Sequence, residues 1–181
     1  MKFNEFYSLT IVHSRDIILV KGVDYMNITK QKSQKTFDKQ AADYDTNIQG
    51  EHARKLYKPI IENLKNKNIH SILDLGCGTG ALLKEIKELN IAEQLFGIDI
   101  SPNMLEIAEN KLGNDATLIL GDSERLPFED SSFDAIVCND SFHHYPQPDI
   151  VEKEVSRCLK QNGVFIIGDC WQPIGARQIM N

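Results

Sequence analysis

Residues Ile72 to Gly80 read Ile-Leu-Asp-Leu-Gly-Cys-Gly-Thr-Gly and constrain the fold more than any other stretch. A run that suits a buried strand enters three glycines at alternating positions, Gly76, Gly78 and Gly80. Ala81, Leu82, Leu83, Ile86 and Leu89 then recur at helical spacing. A strand that enters a side-chain-free turn and leaves as a helix lets backbone N–H groups and the helix N-terminus come close to a ligand. In open α/β sheets, ligands bind at this kind of place, outside the carboxyl ends of the strands.

The alternation continues downstream. Strands are expected at Ser71–Leu75, Leu95–Asp99, Thr117–Leu120, Phe133–Asn139 and Gly163–Asp169, all near-continuous apolar runs of the kind that parallel strands covered on both faces require. Ser101 is expected to cap a helix with Pro102 at its first position, burying Leu105, Ala108 and Leu112. Ile150 to Lys160 reads as another helix with Val151, Val155 and Leu159 facing inward, ended by a Gln-Asn-Gly turn at Gly163. This order predicts an α/β protein built on a doubly wound parallel sheet. Upstream, residues 30–67 read as helical in two pieces. Phe37, Ala41 and Tyr44 share one face; Ala53, Leu56, Tyr57, Ile60, Ile61 and Leu64 share another, and Pro59 is expected to bend or split the second piece.

Three acids stand at or near strand ends: Asp74 just before the glycines, Asp99 after the second strand and Asp122 after the third. A carboxylate after the second strand suits a ribose diol, because it accepts two hydrogen bonds. One after the third could accept from an exocyclic amine such as that of adenine. Each aspartate alone is more often a turn former or helix cap, and for Asp99 alone the two readings are even. Three acids and three glycines at one sheet edge describe a nucleoside lying across the strand tips. Gly76, Gly78 and Ala81 satisfy Gly-x-Gly-x-x-Ala, so a nicotinamide dinucleotide is formally allowed. Gly80, Asp74 and Asp122 lie outside that fingerprint.

Composition narrows the partners. A net charge of −6 and no basic stripe argue against a nucleic-acid substrate. Lys30, Lys32, Lys35 and Lys39 cluster around Asp38 and read as a solvated helix face. No run approaches the ~20 apolar residues of a membrane span. Cys77, Cys138, Cys158 and Cys170 form no metal-type spacing, so no metal site is expected, and they suggest a reducing, cytoplasmic setting.

Taken in order, Ile72–Gly80, Gly97–Ser101 (Gly-Ile-Asp-Ile-Ser), Gly121–Asp134 and Leu159–Gly168 resemble the successive motifs of class I S-adenosylmethionine-dependent methyltransferases, with a Rossmann-like core. The nearest subgroup is the small-molecule type that includes the ubiquinone/menaquinone-biosynthesis enzymes. The resemblance covers residues 37–169 and implies S-adenosyl-L-methionine as cofactor and a small-molecule methyl acceptor. It implies that Gly76, Gly78 and Gly80 meet the methionine part of the cofactor, with Asp74 helping to hold its ammonium. Asp99 would take both ribose hydroxyls, Ile100 and Met104 flank the adenine, and Asp122 accept from its amine beside the Ser123 backbone. Asn139 would lie under the sulfonium, and Tyr44 would sit on the N-terminal helix that closes over the cofactor. Methyl transfer from a sulfonium needs alignment and exclusion of water, and a base only where the nucleophile must lose a proton. His143 and His144 follow the fourth strand near the acceptor's expected place and are the candidate catalytic residues, as base or substrate contact; a structural histidine is the competing reading. A nicotinamide-dependent oxidoreductase and a non-catalytic cofactor-binding or scaffold protein are the alternative functions.

The ends match the family less well. Residues 1–29 read as an N-terminal extension, with Tyr7–His13 and Ile17–Val20 forming a hairpin, or as a leader before a natural start at Met26, the favoured reading; residues 30–181 read as one domain, with a helical cap over 30–67 and the core over 71–169. Family members usually continue past this chain's last strand through a further helix and an antiparallel hairpin to a seven-stranded sheet. A C-terminally shortened form, or a fragment of a longer chain, with weakened or absent activity is one expectation. Its last strand would be an exposed edge, covered by the N-terminal hairpin or by a second subunit in a homodimer.

Overall fold

The computed structural model describes residues 7–12 and 26–170. Their order is β1 (Tyr7–Val12), α1 (Met26–Gln40), α2 (Ile48–Leu64), β2 (Ile69–Leu75), α3 (Ala81–Glu88), β3 (Ala92–Asp99), α4 (Pro102–Leu112), β4 (Ala116–Leu120), β5 (Phe133–Asn139), α5 (Pro148–Cys158) and β6 (Leu159–Cys170). The sheet runs β1-β6-β5-β2-β3-β4. β2 to β6 are parallel, and β1 pairs antiparallel along β6 from Tyr7↔Cys170 to Val12↔Phe165. The doubly wound α/β architecture is therefore present, with its order reversing at β2: β3 and β4 lie on one side, β5 and β6 on the other.

Both faces are covered, which is why the parallel strands read as unbroken apolar runs. Successive residues of β2 feed opposite layers. Ile72 packs with Leu56, Ile60 and Leu64 of α2 and with Leu83 and Ile86 of α3. Leu73 and Leu75 pack with Val151, Val155 and Cys158 of α5 and with Phe133 and Phe165. Phe96, Phe128 and Phe133 meet edge-to-face, with centroids 4.9–5.9 Å apart.

Local chemistry sets the element ends. Ser101 Oγ accepts from Met104 N at 3.2 Å and Pro102 opens α4, which buries Met104, Leu105, Ala108 and Leu112. Asn47 caps α2 by accepting from Gly50 N at 2.8 Å.

Four expectations need correction. Pro59 does not split α2, which runs unbroken to Leu64. Pro59 removes one helix hydrogen bond, but fully buried Ile60 and Leu64 lie just beyond it, and burying each such side chain is worth roughly 1.5–3 kcal/mol. Leu159 and Lys160 belong to β6 rather than to α5. The Gln-Asn-Gly turn is absorbed into that strand as a break in its register: pairing steps from Phe133↔Leu159 to Ala135↔Val164, and Asn162 takes φ +68°. Finally, β6 is not an open edge, because β1 occupies it, and this removes the reason for expecting a homodimer there. The hairpin's second arm, Ile17–Val20, lies outside the described residues.

Candidate functional site

The glycine turn after β2 is hooked onto β3. Gly76 N and Cys77 N both donate to Ile98 O, at 2.9 and 3.1 Å. Gly76 has φ +74°, and a Cβ there would lie 2.1 Å from Ser141 Oγ. The loop after β5 therefore presses directly on this backbone. Ser141 Oγ donates to the Tyr145 hydroxyl at 2.9 Å, and that hydroxyl donates to Leu75 O at 3.2 Å, which ties the β5 loop to the tip of β2. Gly78 differs: φ is +52° and a Cβ would meet nothing within 4 Å. Its bare face looks into open space, and its N–H donates to Asp99 Oδ2 at 2.8 Å.

That open space is a cavity across the strand tips, about 910 Å³ when the space open to solvent at its mouth is counted. Tyr44, Asp74, Gly76, Gly78, Asp99, Ile100, Met104, Asp122, Ser123, Asn139 and His144 all line it. Gly80 does not. It begins α3, and a Cβ there would come 2.8 Å from Leu112 Cδ1, so its role is to let α3 pack against α4. His143 also stays off the wall: its Nδ1 lies 2.6 Å from Asp169 Oδ1 and its backbone N–H donates to Asp169 Oδ2 at 3.0 Å. Asp140, His143 and Asp169 bring their ligand-type atoms within 4.8 Å of one another, a grouping not expected from the sequence.

The acids differ in their environments. Asp74 is 2% exposed and its Oδ1 has no hydrogen-bond partner. Burial, then the Asp99 charge, push its carboxyl up to about 8. Asp99 also accepts from Ser101 N at 2.8 Å. Burial raises it, while the N–H groups of Ser101, Gly78 and Ile100 oppose the rise. Asp122 accepts from Glu124 N at 2.9 Å and from Lys30 Nζ at 2.6 Å.

The cap is fastened to this rim at three points. Lys30 of α1 reaches Asp122 and, at 2.5 Å, Glu124. Glu124 also accepts from Gln147 Nε2 at 2.9 Å, at the start of α5. Asp38 accepts from Ser101 Oγ at 2.6 Å. Asp45 accepts from Thr79 Oγ1 at 2.5 Å and from Lys111 Nζ at 2.7 Å. Burial alone would raise the Asp45 carboxyl, but Lys111 and Thr79 outweigh it and hold it below the usual range. Lys30 is therefore not part of a solvated face. Its side chain is 18% exposed, and its partners lie about ninety residues away, a pairing that no local spacing reveals.

At the other end, Phe37 meets the rings of His144 and Tyr44 edge-on, at 5.1 and 6.3 Å. Burial, then neighbouring His143, lower the His144 imidazole to about 4, so it is neutral at pH 7. Burial, then the charges of Asp140 and Asp99, push the Tyr44 phenol up to about 12. Asn139 Nδ2 donates to Ala53 O at 3.3 Å, while its buried Oδ1 has no partner.

The fold and site define a doubly wound α/β protein with an acid-rimmed, glycine-floored cradle at its topological switch point. Residues 73–167, more than half of the chain, match the family model described as a methyltransferase domain. The chain belongs to this family, as its ordered motifs predict. It is 34% identical over 148 residues to the demethylmenaquinone methyltransferase of Thermotoga maritima, covering 80% of this chain and 64% of that protein. It is 34% identical over 138 residues to the malonyl-[acyl-carrier protein] O-methyltransferase of Legionella pneumophila, covering 73% of this chain and 47% of that one. The crystal structure of YcgJ from Bacillus subtilis superposes with a TM-score of 0.61 at 28% identity, over 68% of this chain and 53% of that one. The chain thus spans less than two thirds of the length of each. Among the described residues, no helix is long and apolar enough to cross a membrane.

Proposed function

We propose that the chain is an S-adenosyl-L-methionine-dependent methyltransferase acting on a small-molecule acceptor by in-line methyl transfer. The observation that carries this reading is that the glycine turn and Asp99 meet in one cavity, joined by the Gly78 N–H. The residues present fit the cofactor. The unpartnered Asp74 Oδ1 and Asn139 Oδ1 lie on adjacent strands beside the turn, and an ammonium brings three donors to such acceptors.

Roles follow along the wall. Gly76 and Gly78 cradle the methionine part, and Asp74 holds its ammonium. Asp99 accepts from the ribose hydroxyls while Gly78 N and Ser101 N fix its carboxylate. Ile100 and Met104 flank the adenine; Asp122 and the Ser123 backbone take its edge. Asn139 lies under the sulfonium, and Tyr44 closes the cap side. When bound, the cofactor supplies a methyl group on a positively charged sulfur. The chain's own work is to align the acceptor and exclude water, which the cap fastenings support. His144, neutral and facing the cavity, is the group placed to take a proton from the acceptor. His143, bonded to Asp169, serves as its support. A cytoplasmic setting is part of the reading, supported by buried, unbridged Cys77, Cys138 and Cys158.

Calorimetric titration tests the reading. Micromolar binding of S-adenosylhomocysteine with none of nicotinamide dinucleotides is expected; the reverse preference overturns it. The nicotinamide alternative gains no support from the family or the relatives and is kept only as that arm of the test.

A further inference from the structure

The tip of β2 is held differently on its two sides. Toward β3 the pairing runs to Leu75↔Ile98, but toward β5 it stops at Asp74↔Val137. β5 has parted from β2 where the glycine turn begins. The Leu75 carbonyl is met there by a side chain instead. The loop after β5 leaves the sheet through Asp140, at φ +51°, and Tyr145 at its far end donates its hydroxyl to Leu75 O at 3.2 Å.

That hydroxyl is a meeting point. It also accepts from Ser141 Oγ at 2.9 Å and from Cys138 Sγ at 3.8 Å, and a Cβ on Gly76 would lie 3.0 Å from it. Burial holds the phenol well above its usual range, so at neutral pH it stays protonated and keeps donating. The ring that carries it is itself fixed. It meets Phe142 edge-on at 5.7 Å, and Phe142 meets Phe165 of β6 at 6.3 Å. The Tyr145 backbone is extended, φ −80° and ψ 121°, the form that the following Pro146 favours, and its N–H donates to Phe142 O at 3.2 Å. Across the turn, Gly76 N and Cys77 N are held by Ile98 O. The turn is thus clamped between the β3 backbone and one side-chain oxygen.

Resting on the proposed cofactor, we infer that Tyr145 is a positioning residue: its hydroxyl spans the gap where β2 and β5 part and sets the glycine turn in the course that the methionine part of the cofactor needs. It acts through Leu75, Ser141 and Gly76, not on the reacting atoms. Removing the oxygen leaves the Leu75 carbonyl and the Ser141 hydroxyl without this partner, and the turn keeps only its hold on β3. A buried carbonyl left unpaired moves toward any other donor, and the turn's backbone moves with it.

Tyr145→Phe keeps the ring and deletes the oxygen. Two measurements are made on it: Kd for S-adenosylhomocysteine by calorimetry, and amide hydrogen exchange of the ligand-free protein. Binding is expected to weaken about tenfold, the effect of one buried group left unpaired. Exchange at Gly76 and Cys77 is expected to rise about tenfold while that at Phe165–Ile167 of β6 stays as in the wild type. A merely structural phenol raises exchange in both places alike, and a direct ligand contact weakens binding with the turn's exchange unmoved. Either result, or an unchanged Kd, overturns the inference and leaves the cofactor reading standing. Should Tyr145→Phe not fold, Ser141→Ala removes one partner of the same hydroxyl and is read by exchange alone: faster exchange confined to the turn supports the inference, and unchanged exchange overturns it. Wild-type protein that does not bind S-adenosylhomocysteine overturns both.

Discussion

The Gly78 amide donates to Asp99 Oδ2 across 2.8 Å, so the backbone that floors the cradle also aims the acid on its rim. One oxygen of Asp99 is fixed by Gly78 and the other by Ser101 N. A carboxylate held by two backbone donors is already oriented for a diol and loses little freedom when it binds one. Asp99→Ala is therefore expected to weaken S-adenosylhomocysteine binding ten- to a hundredfold, about 1.5–3 kcal/mol. Calorimetry on the folded variant checks this, and unchanged affinity contradicts the ribose assignment.

Gly76 and Gly78 are expected to fail differently when changed to alanine. At Gly76 the new methyl meets Ser141 Oγ at 2.1 Å, so Gly76→Ala should cost more than about 2 kcal/mol of stability. At Gly78 the methyl meets nothing, so Gly78→Ala should cost only about 1 kcal/mol for its φ, yet it places a methyl where the proposed cofactor would lie. Urea unfolding and ligand titration on both variants separate the two. Equal stability losses, or full affinity in Gly78→Ala, contradict the assignment.

Much of this was legible in the sequence because its causes are local. The β2 turn, the Ser101-Pro102 cap and the apolar runs of β3 and β5 each carry their signal within a few residues. What escaped depends on distant chain. Pro59 reads as a bend or break because its helix's buried stripe is felt only once β2 and α3 pack against it. Lys30 reads as solvated because Asp122 and Glu124 come to it only through the fold. Asp140 sits one residue past Asn139, and nothing in its spacing announces a positive φ. His143 and His144 looked alike as neighbours; a single 3-10 turn sends one to Asp169 and the other to the cavity.

The Lys30–Glu124 pair offers a measure of how firmly the cap is fastened. Its side chains are 18% and 8% exposed, against 85% and 59% for Lys58–Glu62. A double-mutant cycle on Lys30→Met and Glu124→Gln should give a coupling of about 1–2 kcal/mol, and the same cycle on the exposed pair under about 0.5 kcal/mol. Indistinguishable couplings contradict the claim that Lys30 is part of the site's closure.

Asp74 makes a prediction about pH. A free aspartate titrates near 3.8 and this one near 8, so folding favours its protonated form. Its favourable contribution is complete below the unfolded value and is lost as pH rises through the folded one. Asp74→Asn keeps the neutral shape at every pH. The stability difference between variant and wild type should therefore grow in the variant's favour from pH 4 to pH 8, exceeding about 1 kcal/mol, the equivalent of a single pKa unit. Urea midpoints across that range check it; a difference that does not change with pH contradicts the burial of an unpartnered acid.

The central claim is that an adenosine-type cofactor lies across the strand tips with its sugar on Asp99 and its sulfur end over the glycine turn. A crystal structure of the protein soaked with S-adenosylhomocysteine tests it most directly. The account predicts ribose hydroxyls on the Asp99 carboxylate, the adenine amine on Asp122 and the amino-acid tail against Gly76 and Gly78. Density elsewhere on the molecule, or a cofactor bound the other way round with its adenine at the glycine turn and its amino-acid tail at Asp122, contradicts it.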